Sequence, residues 1–215
     1  MTTTYDPSST LDMLIRSRRP VIQIISPEER RIRALVCELA AQRGVPVKTP
    51  EGEIKFTRVV WAWSRTTGLR QISPVDGVTG LVARDNRPPA WRLLSDDKYA
   101  AKCAEFAGET KDADAALFRI ANWIAQVCTT SGEDGPEITV YPTIFFMADL
   151  GINFVNQKGE IYSVGLARRI RELAFDLPST KNTVIMIDPV PVRVPWLDKD
   201  VTVIDWPLPS KSEMD

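Results

Sequence analysis

Short, almost wholly apolar runs set the strongest limit on what this chain can become. They occupy residues 21–26, 143–149, 183–188 and 201–205. Each is five to seven residues long and rich in Val, Ile or Phe, the length and composition of strands rather than helices. Strands buried on both faces lose the alternation of apolar and polar residues, and only helices packed above and below the sheet bury them so. Helix-period segments separate these runs. With a further strand at 56–63, centred on Val59, Val60 and Trp61, the expectation is α/β: a mainly parallel, five-stranded sheet with helices on both faces. The whole of 1–215 reads as one domain, with an inserted loop and helical region around 65–110.

The first strand runs straight into Ser26, Pro27, Glu28, Glu29, Arg30 and Arg31. In a nucleotide-binding P-loop the turn at such a place is Gly-rich and ends in Lys followed by Ser or Thr. The glycines let backbone N–H groups wrap the phosphates, and the lysine neutralises them. This turn has no glycine, a proline without an N–H, and two glutamates. The carboxylates suit a helix dipole and would repel a triphosphate at the same spot. The sequence describes an NTPase-like sheet with no P-loop.

Helix signals follow the same logic. Ser26 is the expected N-cap, with Pro27 first in the helix and Glu29 three residues after the cap. Ile32, Leu35, Val36, Leu39 and Ala40 then fall on one face, and Gly44 supplies the stop. A shorter amphipathic segment begins at Thr10 and ends before Pro20. Helices are expected over 96–107, 112–129 and 161–177. Residues 65–92, rich in Gly, Pro, Asp and Arg, read as a long loop or a small hairpin insertion, a length that points to a functional surface.

Composition removes several classes of chemistry. The 215 residues include no histidine, so neither a Ser-His-Asp or Cys-His triad nor a His-containing zinc site can be built. Cys37, Cys103 and Cys128 lack metal-type spacing and read as reduced thiols, two of them on or beside helix core faces. A net charge of -1 argues against a nucleic-acid-coating protein. No apolar run reaches the ~20 residues of a membrane helix, and 1–6 lacks the regions of a signal peptide. A cytoplasmic protein with no membrane contact and no bound cofactor is expected, ATP entering only if the fold binds nucleotide in a divergent way.

Candidate sites are few. Asp149 ends an apolar strand, where P-loop ATPases hold magnesium. Without a phosphate loop it reads first as a turn-capping Asp and otherwise as a vestigial Walker-B-like residue. Asp188, before Pro189, also reads as a turn former. Arg65, Arg70, Arg84, Arg87 and Arg92 with Trp91 combine guanidinium groups and an aromatic, the make-up of a protein interface or a single-strand nucleic-acid contact. Asp76 and Asp85 dilute that charge, and a solvated loop is the plainer reading. Arg168 and Arg169 read as helix surface charge rather than an arginine finger. Trp61 and Trp63 alternate about Ala62 and share one face of their strand.

Several stretches in this order carry a resemblance: 11–20 with the strand after it, 26–30, Trp63 with Gly68, Leu69 and Arg70, then 144–149, 183–188, and 206–209 with Glu213. Together they resemble the N-terminal domain of the AAA-type ATPases known as hypothetical chloroplast reading frames, from cyanobacteria and algal plastids, and their bacterial relatives. The likeness covers most of the chain except 73–134. It implies a RecA/AAA-like sheet without a working nucleotide site, its first strand flanked by the Asp149 and Asp188 strands. A complete AAA module would follow the Pro207–Pro209 segment, just where this chain ends. It further implies a non-catalytic accessory role, binding a protein partner, the AAA motor module or its substrate. The alternatives are a divergent ATPase subunit and single-strand nucleic-acid binding by the Arg/Trp loop.

Overall fold

A computed structural model describes residues 6–42, 45–49, 52–56, 58–72, 94–127, 131–132, 135–136, 142–154, 163–192 and 197–208. In chain order the helices are α1 (Pro7–Arg16), α2 (Glu29–Gln42), α3 (Asp96–Glu109), α4 (Ala113–Val127) and α5 (Val164–Asp176). The strands are β1 (Val21–Ile25), β2 (Val45–Thr49), β3 (Gly52–Phe56), β4 (Val59–Ser64), β5 (Gly68–Ile72), β6 (Ser131–Gly132), β7 (Gly135–Pro136), β8 (Thr143–Ala148), β9 (Thr183–Asp188) and β10 (Val201–Asp205).

The main sheet has six strands in the order β10-β1-β9-β8-β4-β5. All neighbours are parallel except β4 and β5, which form an antiparallel hairpin. The expected count of five was short by β5: residues 68–72, read as part of a loop or hairpin insertion, turn back and extend the sheet. A second correction concerns β1. It lies between β9 and β10, and the Asp149 strand β8 is one place further on. Apolar content alone does not order buried strands. Here the chain crosses over after β9 and sets β10 on the far side of β1, where the Trp206 N–H donates to the Ile25 carbonyl at 3.1 Å.

Boundaries moved where local hydrogen bonds compete with helix or strand. The 56–63 strand is divided: Phe56 ends a separate β2–β3 hairpin and Val59 begins β4. α1 starts at Pro7, three residues before Thr10, because Asp6 accepts the Ser8 and Ser9 N–H groups as N-cap. α5 begins at Val164 with Ser163 as its non-helical N-cap, and Ile161, the expected start, lies outside the described residues.

Two cores flank the sheet. One holds α1 and α2 against Ile22, Ile24, Ile144, Phe146 and Ile185. The other holds α4 and α5 against Val59, Trp61, Trp63, Phe145, Met147 and Val184. Trp61 and Trp63 are both buried on that second face, as their spacing predicts. Trp61 packs edge-on against Phe106 and Trp123, with centroids 5.5 and 5.6 Å away. Trp63 donates its indole N–H to the Thr110 carbonyl at 2.6 Å, which anchors the α3–α4 turn to the sheet.

Candidate functional site

In an open parallel sheet, ligands are bound beyond the carboxyl ends of the strands, near the place where the chain reverses its direction of travel across the sheet. The register here sets Asp205, Ser26, Asp188, Asp149 and the β4–β5 turn side by side along that edge.

The turn after β1 is occupied by its own side chains. Ser26 is buried; its backbone N–H donates to the Asp188 carbonyl at 2.9 Å, and its hydroxyl accepts the Glu28 N–H at 3.1 Å. That bond is of the kind an N-capping serine makes, as expected of Ser26, although α2 itself spans Glu29–Gln42 and so begins two residues after the proline. Glu28 pairs with Arg31 at 2.5 Å, and Arg31 donates to the Pro207 carbonyl at 2.7 Å. A phosphate cradle needs several free N–H groups converging on an anion. Here proline removes one and Ser26 takes another, while Glu28 and Glu29 are paired with Arg31 and Arg33 of α2.

Asp188 is the unusual group of the edge. It is fully buried, its carboxylate accepting the Gln23 side-chain amide at 2.9 Å and the Gly151 N–H at 2.7 Å. Burial pushes its pKa above the usual carboxylate range, the two hydrogen bonds oppose that shift, and the Asp149 charge adds to it. Glycine is required at 151 because a Cβ there would stand 2.6 Å from both the Asp188 carboxylate and a Val192 methyl. Asp188 is therefore a buried hydrogen-bonded centre and not the turn former expected from Pro189. The sequence signal for it is Gln23, a polar residue inside an otherwise aliphatic strand.

The predicted site residues separate. Asp149 sits at the strand end beside Asp188, but its side chain is exposed and its backbone left-handed, with φ of 53°. Its N–H donates to Ile187 and its carbonyl accepts the Asn153 amide, so it does form a turn. Arg65 is exposed in the β4–β5 turn, on the same edge as Asp149. Arg70 is exposed on β5 and braces that turn by donating to the Thr67 carbonyl at 3.0 Å. Arg84, Arg87, Trp91 and Arg92 lie outside the described residues. Arg168 pairs with Glu172 and Arg169 with Asp114, both on the helical surface.

One feature has no counterpart among the sequence expectations. A cavity of about 420 Å³ opens on the face of β1, β9 and β10 that carries Gln23, Met186 and Val203, and Phe154 and Leu197 help to wall it.

Comparison with protein families decides the relationship. The family described as SpoVK-like AAA ATPase, N-terminal domain, matches residues 7–206. The chain belongs to that family. No curated protein and no solved structure matched it. The match spans the whole sheet from α1 to Trp206, so the AAA ATPase N-terminal domain is this mixed α/β unit, consistent with a RecA/AAA-like fold. Among the described residues, no helix is long and apolar enough to cross a membrane.

Proposed function

We propose that this AAA ATPase N-terminal domain is a non-catalytic contact module, which binds a protein partner or substrate for an AAA motor and does not turn over nucleotide. The observation that carries the reading is the turn after β1. It has no glycine and no lysine, Pro27 lacks an N–H, the Glu28 N–H is bonded to the Ser26 hydroxyl, and the Glu28 and Glu29 carboxylates are paired with Arg31 and Arg33. The nearby arginines, already paired in this way, offer a phosphate little in place of the missing lysine. Within the family, the short motifs at 11–20, 26–30 and 206–209 favour the cyanobacterial and plastid branch. A cytoplasmic setting belongs to the same proposal, and so does a contact role for Arg65, Arg70, Arg87, Trp91 and Arg92.

Isothermal titration of the chain with Mg-ATP tests the reading. The expected result is no binding heat; saturable binding at micromolar ATP would end it. A second reading, a divergent nucleotide-binding subunit, is favoured only by the exposed Asp149 carboxylate at its strand end. On that reading the titration shows binding that Asp149→Ala abolishes.

A further inference from the structure

We propose that the outer edge of β10, with the cavity beside it, takes up an extended basic peptide segment as an added strand. The proposal rests on the contact-module reading and gives its partner a site and a chemistry.

The edge is open. Alternate residues of a strand face a given neighbour, and Trp206 donates its N–H to Ile25 of β1. Thr202 and Ile204 therefore also face β1, and the N–H and C=O groups of Val201, Val203 and Asp205 point away from the sheet. The opposite edge is closed: the Leu69 N–H of β5 donates to the Thr110 hydroxyl at 2.8 Å, and Tyr99 of α3 bonds Gln71 at 2.8 Å. Proteins guard a free edge with lysine, proline or a bulge. β10, Val-Thr-Val-Ile-Asp in sequence, has no lysine or proline and pairs with β1 residue for residue, and Val203 is 53% exposed.

The cavity specifies the occupant. Val201, Val203 and Asp205 turn their side chains to the face where it opens, so a strand laid along β10 would set every second side chain over it. The apolar part of its floor is Ile25, Met186 and Phe154, with the Gln23 side chain also in its lining. The charged groups among its described lining residues are Asp198 and Asp205, both carboxylates; Lys199 is exposed outside it. A lysine or arginine suits that shape, its stem on the apolar floor and its cation against the carboxylates. A second copy of the chain would bring the same acidic edge against this one.

The test uses fluorescence polarisation with the 215-residue chain and two short labelled peptides, one alternating valine with lysine, the other valine with glutamate. The lysine peptide is expected to bind at least about tenfold more tightly. Val203→Pro is expected to weaken it by a similar factor, because it removes an outward N–H and leaves the ladder to β1 intact. If that variant does not fold, the parent chain with a lysine peptide N-methylated at alternate residues serves, and the same loss is expected. Equal affinity for both peptides, or binding unaffected by the proline and by N-methylation, would overturn the proposal. So would sedimentation showing that the parent chain dimerises through this edge and Val203→Pro does not. A chain that binds neither peptide and takes up no Mg-ATP loses the edge proposal and keeps the contact-module reading. Micromolar ATP binding removes that reading, and peptide binding at β10 is then decided by its own result.

Discussion

Burial of Asp188 against Gln23 and Gly151 makes its ionisation part of the folding equilibrium. Its folded-state pKa is raised, so between the unfolded value near 3.9 and the higher folded one the native state holds more protons than the unfolded state. Stability from this group is then complete below about pH 4 and falls as pH rises through the folded pKa. Asp188→Asn keeps an acceptor for Gly151 and lets the Gln23 amide turn to accept. Urea unfolding across pH should show that this variant loses the decline and at pH 7 is at least as stable as the parent, within about 1 kcal/mol. Asp188→Ala leaves buried donors unpaired and should cost roughly 1–3 kcal/mol. Little of this was legible beforehand. Gln23 is visible as a polar residue in an apolar strand, but its partner is 165 positions away and depends on a strand order that apolar content does not encode. Asp149 is the converse case: the turn expected there is formed, but an apolar strand ending in Asp looks alike whether the carboxylate turns inward or to solvent.

At the scale of elements, local signals worked where one physical cause acted alone. The α3 and α4 spans lie close to those expected because their apolar faces and N-terminal residues agree; Asp112 accepts the Asp114 and Ala115 N–H groups at the start of α4. The capping serine of α2 was legible, whereas β5 was hidden by a polar hairpin whose cover, α3, begins at Asp96, well after β5 ends at Ile72. Gly68 joins that hairpin to its cover. Its φ is +68°, and a Cβ there would stand 1.8 Å from the Ala107 carbonyl. Gly68→Ala combines a left-handed backbone penalty of about 1–2 kcal/mol with forced separation of α3 from β5. A fall in thermal midpoint of several degrees is expected, with altered emission from Trp61 and Trp63, which share that core with Leu69. An unchanged midpoint would mean that the hairpin and α3 are not held so closely.

For the whole molecule, a parallel sheet with helices on both faces was legible because strands buried on two sides leave an unmistakable apolar run, whereas the order of those strands is set by crossovers the sequence does not display. The resulting edge sets Ser26, Asp188, Asp149 and the β4–β5 turn in one row, and its first position is filled by a proline, two glutamates and an arginine tied to Pro207. β10 is the terminal strand of the sheet, and among the described residues no strand pairs with its outer side. The most direct measurement is an NMR titration of the isotope-labelled chain with Mg-ATP, following the backbone amides of Ser26 and of Glu28 to Arg31. The account predicts that these resonances stay in place up to millimolar nucleotide; saturating shifts confined to them at micromolar nucleotide would contradict it.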